Sequence, residues 1–436
     1  MSRAQPGVTP RFGVGWRQVA VCFILLAADA VIASGYSVVA VPLGREFHPT
    51  RMVLMLTMTV MAGGSALLAP VFGSLMDRTS LRRLMVLGGV LLGVGYAALS
   101  FATSFVQVLV VYGLILAPAN VLIGPMAATV LLSRWFVQRR GTAIGVAIAG
   151  IAVGGVVFPP LIQWLLDSHA WREALRLFAL LMLACTVPAA ALAVDSPADR
   201  GLHPDGAAED FARSRPGAQA QRISARAVLA DPTFWLAAGV FSVVLSGMKG
   251  MVTNLAPLAI DAGVQASKAA WLISVYSACG FVAKLGFAGV ADRISPRTLM
   301  FVSLSGFAAG IACLTQAHAG FGTIAAGVGL IGLFGGLMVP LQSLLVPRIF
   351  GERAVGRAMG LISMVTLCAL LVTPPLFGLI FDLTGSYSAI FLTFAVLAAA
   401  AMLMVRHIRL TPRGAAPADE PATTAGAALA REPRPL

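Results

Sequence analysis

The chain has 436 residues, of which 58 % are hydrophobic and 11 % charged, with a mean hydropathy of +0.88. Soluble domains carry about 25 % charged residues, so this composition excludes an ordinary water-soluble domain and points to lipid as the solvent. The formal net charge of +13 does not signal a nucleic-acid binder, because the basic residues fall in short groups between long apolar runs rather than in one stripe.

In chain order, a polar segment of sixteen residues containing Arg3 and Arg11 precedes the first apolar run. That run has no small-residue cleavage site and is followed by more of its kind, so it predicts a first membrane helix rather than a signal peptide. A bilayer crossing needs roughly 20 apolar residues. Twelve such spans are predicted, near 17–42, 52–75, 83–103, 106–132, 141–166, 172–194, 233–258, 269–290, 298–318, 321–346, 355–381 and 386–405. Between the sixth and seventh, residues 195–231 are rich in Asp, Arg, Pro and Gly and read as a cytoplasmic linker with a short surface helix near 223–230. The tail, 410–436, is rich in Ala, Pro and charge and is expected to be disordered. The expected organisation is therefore a six-helix half over 1–194, the linker, a second six-helix half over 232–409, and the tail. The five cysteines, Cys22, Cys185, Cys279, Cys313 and Cys368, all lie in apolar runs without CxxC spacing and read as small hydrophobes.

Lys and Arg set the orientation. With both termini in the cytoplasm, 24 of the 31 basic residues face inward, Arg45, Arg51, Arg172, Arg176 and Lys268 face outward, and Lys249 and Lys284 lie inside spans. The opposite orientation would put those 24 on the wrong side.

A repeat runs through the chain at a constant offset of 215. It pairs Asp77-Arg78 with Asp292-Arg293, Arg82 with Arg297, Pro159-Pro160 with Pro374-Pro375, and Asp167 with Asp382. It also pairs Gly141 with Gly356, Gly145 with Gly360, Gly95 with Gly310, Pro42 with Pro257 and Pro125 with Pro340. Six helices per copy give the two halves the same orientation. The expected fold class is thus an all-α membrane protein, twelve transmembrane helices in two six-helix bundles related by a parallel repeat, with a central site between the halves.

After the second span comes Gly73-Ser-Leu-Met-Asp77-Arg78-Thr-Ser-Leu-Arg82-Arg83, and after the eighth Gly289-Val-Ala-Asp292-Arg293-Ile-Ser-Pro-Arg297. Glycines there admit a neighbouring helix, and the acid–base groups suit a gating network that forms in one state and breaks in the other. These stretches resemble the signature of the major facilitator superfamily, and the resemblance covers nearly the whole chain. The segment Arg134-Trp-Phe-Val-Gln-Arg139-Arg140-Gly141-Thr-Ala-Ile-Gly145, the Pro159-Pro160 pair and Trp171-Arg172 look like its monocarboxylate/oxalate-type branch. In monocarboxylate-type relatives an Arg eight residues before the second Asp-Arg binds the substrate carboxylate; here Lys284 stands there, a point charge rather than a bidentate fork. The fifth span lacks the Gly-Pro-x-x-Gly-Gly pattern of drug/proton antiporters, and the fourth carries Asn120 where many proton-coupled members have Arg.

Ionisable groups inside spans are costly and mark function. Asp29 is the only acidic residue deep in a span, and Tyr36, seven residues on and on the same face, is a substrate-binding candidate beside it. Asp29 could carry a proton, balance Lys249 or Lys284, or serve a structural role. Lys249 shares a helical face with Ser242, Ser246 and Thr253, a stripe expected to line a watery cavity, and Lys284 shares one with Ser277 and Gly280. Asn120, Asn254 and Gln342 are further polar candidates, for substrate or for bonds between helices. There is no HExxH and no GxxxxGK[ST], so neither a metal nor a nucleotide cofactor is expected.

These features predict a secondary active transporter, not an enzyme. It would move a small organic anion, a monocarboxylate foremost, by alternating access, with symport of a proton through Asp29. An exporter of drug-like or hydrophobic compounds and a non-transporting membrane sensor are the alternatives. The expected setting is a bacterial cell inner membrane, with lipid as surroundings, both termini cytoplasmic, and the protein a monomer.

Overall fold

A computed structural model describes residues 12–136, 139–200, 202, 225–290, 293–317, 320–350 and 355–408. Twelve helices are long and apolar enough to cross a bilayer. They are α1 (Val14–Phe47), α2 (Arg51–Met76), α3 (Leu81–Ser100), α4 (Phe105–Trp135), α5 (Gly141–Ser168) and α6 (Trp171–Ala191). The second half holds α7 (Pro232–Asp261), α8 (Ala266–Phe287), α9 (Pro296–Thr315), α10 (Phe321–Phe350), α11 (Ala358–Thr384) and α12 (Ser388–His407). All twelve predicted spans are present. Of the predicted surface helix, Ala225–Leu229 is helical; most of the linker, 203–224, and the tail after residue 408 lie outside the described residues.

The repeat is visible in how the helices start. The backbone N–H of Arg83 donates to Ser80 at 3.4 Å, and that of Thr298 donates to Ser295 at 3.1 Å. Ser80 and Ser295 are 215 apart, so both halves open their third helix with the same side-chain cap. The repeat recurs in packing. A Cβ on Gly95 would fall 2.5 Å from Leu116, and one on Gly310 would fall 2.6 Å from Ile331, again 215 residues on. Without a hydrophobic force between helices in lipid, such close backbone approach is what holds α3 on α4 and α9 on α10. Large apolar side chains, Leu67, Leu114, Trp164 and Leu392 among them, are exposed, which lipid tolerates and water would not.

Proline explains how the halves meet. Pro160 has no N–H, so the carbonyl of Val156 loses its helical donor; the Ser274 hydroxyl of α8 donates to it at 2.7 Å. Pro375 frees the carbonyl of Leu371 in the same way, and the Thr59 hydroxyl of α2 donates to that. Thr59 and Ser274 are 215 apart, and so are Val156 and Leu371. The Pro-Pro pairs thus place two equivalent hydrogen bonds across the seam.

The end of the bundle away from the linker is sealed. The Arg51 guanidinium donates to both oxygens of Asp261 at 2.8 Å and lies 5.2 Å from the ring centroid of Phe381. Asp382 accepts from the backbone N–H groups of Arg51 and Met52, both at 2.8 Å, and so caps α2 from the opposite half. The Ala256 N–H donates to Ser37, also across the seam. The linker end differs. A Cβ on Gly141, Gly145, Gly286 or Gly360 would meet nothing within 4 Å. The hydrogen bonds and the ion pair just described join the halves at the end away from the linker.

Candidate functional site

A cavity of 420 Å³ lies between the halves, lined by α1, α2, α4 and α5 on one side and by α7, α8, α10 and α11 on the other. One of these helices is broken near it. Gly124, in extended conformation, interrupts α4, which resumes at Pro125. Gly35 of α1 and Gly336 of α10 keep helical backbone angles and their bonds to the Val31 and Gly332 carbonyls. Non-helical backbone at this depth is tolerated where it is buried in protein or lines a cavity.

Asp29, Asn120, Lys249 and Lys284 all line the cavity. The Asn120 amide donates to Asp29 Oδ1 at 2.8 Å, and a Cβ on Gly124 would crowd Asp29 Oδ2 at 3.2 Å. The break in α4 therefore makes room for the carboxylate that the helix also binds. Asp29 faces Lys249 across the seam closely enough for the two charges to attract. Among the described residues the ion pairs within 4 Å are Arg51–Asp261 and Arg172–Glu46, and neither lysine is in one. No protein group accepts a hydrogen bond from either ammonium among the described residues. Lys284 shares its wall with Ser277 and Gly280, as its helical face predicts.

Four expectations are corrected. Tyr36 is fully buried, outside the cavity lining, its ring edge-on to Tyr112 and its hydroxyl donating to the carbonyl of Leu54. It lies two helical turns, about 10 Å, beyond Asp29 and packs into the first half instead. Asn254 is also fully buried and away from the cavity; its amide donates to the Gly250 carbonyl at 2.9 Å on its own helix. The stripe on α7 does not line the cavity. Ser242 bonds Thr366 of α11, while Ser246 and Thr253 donate to carbonyls of their own helix. Gln342 is likewise buried and off the lining. The cavity instead holds Tyr276 and an apolar wall including Met61, Met248 and Val339, which no charge or motif marks in the sequence.

The gating motif is partly described. A Cβ on Gly73 would fall 2.7 Å from Met126, so this glycine does admit α4. Arg78 and Arg293 are exposed. The Arg82 N–H donates to Asp195 at 2.7 Å, and the Arg297 guanidinium donates to the carbonyl of Ile408 at 2.7 Å. Both bonds tie the third helix of a half to the end of its sixth. Asp292 and the side chain of Asp77 lie outside the described residues, and Gly289 lies on the helix Ala266–Val290.

Sequence comparison matches residues 21–263 and 243–434 to the Major Facilitator Superfamily. Monocarboxylate transporter 12-B of Danio rerio is 26 % identical over 90 % of this chain and 87 % of its own. Monocarboxylate transporter 11 of Mus musculus is 29 % identical over 89 % and 86 %. Among solved structures, a bacterial homologue of the human lysosomal transporter Spinster, described as inward-facing and unoccupied, aligns with a TM-score of 0.61 at 18 % identity over 92 % of this chain and 95 % of that one.

Proposed function

The chain belongs to the Major Facilitator Superfamily, and on that footing we propose that it carries a small organic anion, a monocarboxylate, by alternating access. The observation behind this reading is a pair of ammonium groups, Lys249 and Lys284, that line a cavity between the halves with no protein acceptor. A cation so placed is costly unless an anion completes it. The names of the curated relatives, monocarboxylate transporters, support the same substrate class.

Asp29 is the coupling group in this reading. Charged, it offsets Lys249, and the three lining charges sum to +1. Protonated, it releases Lys249, and the sum rises to +2. Loading a proton therefore strengthens the attraction for an anion, and losing it weakens that attraction, which is what symport requires. With the linker end in the cytoplasm, as the basic residues favour, the end joined by Arg51, Asp261 and Asp382 faces outward.

The test is Lys284→Ala in membranes or proteoliposomes. Carboxylate uptake falls to background while the protein inserts at normal abundance; undiminished uptake would overturn the reading. The apolar share of the wall favours one second reading, export of hydrophobic compounds. That would appear as resistance to such compounds without carboxylate uptake.

A further inference from the structure

We infer that the carried anion is amphipathic, a monoanion whose charged head sits on the lysines and whose bulky apolar body fills the rest of the cavity. This rests on the organic-anion reading above and narrows it.

Size comes first. The cavity of 420 Å³ equals about fourteen water volumes at about 30 Å³ each. A three-carbon hydroxy acid has about six heavy atoms and would leave most of that space to water. The space also lies within the range typical of sites for larger ligands.

Lining comes second. The charged groups are few and their distribution is lopsided. Both lysines come from the second half, while the first half contributes the carboxylate of Asp29. A substrate carboxylate is drawn to the lysines and repelled by Asp29. In the remaining wall Ser34 and Asn120 already donate to the Ala30 carbonyl and to Asp29, which leaves Tyr276 and Ser277 among a larger apolar set that includes Ile32, Met61, Ile151, Met248, Val252 and Val339. A polar body has little to bond there and would lose its hydration without return. An apolar body gains by burial, and two methionines let the wall adapt to irregular shapes.

Charge comes third. Both lining cations come from the second half, so a second carboxylate at the far end of the body meets no further cation. A dianion would have to place its second carboxylate against the apolar wall or against Asp29.

The experiment measures binding to the purified full-length protein, by thermal shift and by competition for uptake, across straight-chain monocarboxylates of increasing length. Phenyl-substituted acids, dicarboxylates of matched length and the matching primary alcohols complete the set. Apparent affinity rises about fourfold per added methylene until the body fills the space, at about twelve carbons by the volume above. Dicarboxylates bind more weakly than monocarboxylates of the same length. Val339→Asn, which puts an amide in the wall, lowers the gain per methylene. Equal or falling affinity with length, or tighter binding of the dicarboxylate, overturns the inference while the organic-anion reading stands. Binding of no carboxylate at any length, or of alcohols as well as acids, overturns that reading and this inference with it.

Discussion

Asp382→Ala removes the cap that the second half places on α2, and its effect can be worked out from the geometry. Asp382 accepts two backbone N–H bonds, from Arg51 and Met52, each 2.8 Å. Thr50 covers the next donor, Val53 N–H, at 3.3 Å. Removing a capping side chain costs about 1 kcal/mol, and losing a negative charge at a helix N-terminus adds about 0.5 kcal/mol. The residue is exposed, so water takes over the freed donors and keeps the loss near that sum. Both bonds cross between halves and exist only while this end is closed. A loss of about 1.5 kcal/mol therefore lowers the ratio of closed to open at this end by about tenfold. Spin labels at Ser168 and Leu383, which are 215 apart at the ends of α5 and α11, report the separation by pulsed dipolar spectroscopy once the native cysteines are replaced. The variant shifts weight to longer distances, and Arg51→Ala, which removes the Asp261 pair but leaves the caps, shifts it by a separate increment. A distance distribution identical to that of the parent protein would refute the assignment of this cluster as the seal.

Three further outcomes follow from the same structure. Asp29→Asn keeps a polar partner for Asn120 but cannot lose a proton, so uptake persists without its dependence on the pH gradient; gradient-driven accumulation at parental levels would remove Asp29 as the coupling group. Gly154→Ala puts a methyl 2.0 Å from the Ala27 carbonyl and destabilises the α1–α5 contact by about 1–3 kcal/mol, seen as a lower unfolding midpoint in detergent, whereas Gly145→Ala, in open space, leaves the midpoint unchanged. Thr59→Val and Ser274→Ala each delete one seam bond worth about 1 kcal/mol, so each shifts the same spin-label distances by about fivefold in population, and the double variant shifts them further; no shift in any of the three would show that the bonds do not hold the seam.

Much of the architecture is legible in the residues alone, because span length and composition are set by the bilayer and do not depend on packing. The 215-residue offset is equally local, and it reappears as equivalent caps at Ser80 and Ser295 and equivalent contacts at Gly95 and Gly310. The site is less legible. Asp29, Asn120, Lys249 and Lys284 meet at one cavity, and their expense in lipid flags the charged three. Tyr36 and the Ser242–Ser246–Thr253 stripe mislead because a helical face says nothing of depth or of the neighbour that covers it. Tyr36 lies two turns beyond Asp29 and packs on Tyr112, and Thr366 of α11 meets the stripe at Ser242. The seal is not legible in the sequence because Arg51, Asp261 and Asp382 are common residue types at helix ends, far apart along the chain. Two signals point toward it: Arg51 belongs to the small outward-facing set of basic residues, and Asp382 repeats Asp167.

The seam carbonyls of Val156 and Leu371 have an evolutionary consequence. An acceptor supplied by main chain cannot be lost to a side-chain substitution at its own position, so drift at 156 and 371 is free. After the duplication that the repeat implies, the donors were free to diverge to any hydroxyl, and Thr59 and Ser274 have done so. The vulnerable positions are the prolines four residues on. Pro375→Ala or Pro160→Ala restores an N–H, the helix reclaims its carbonyl, and the halves lose an attachment although neither bonded residue has changed. The heritable part of this contact is thus a missing hydrogen atom.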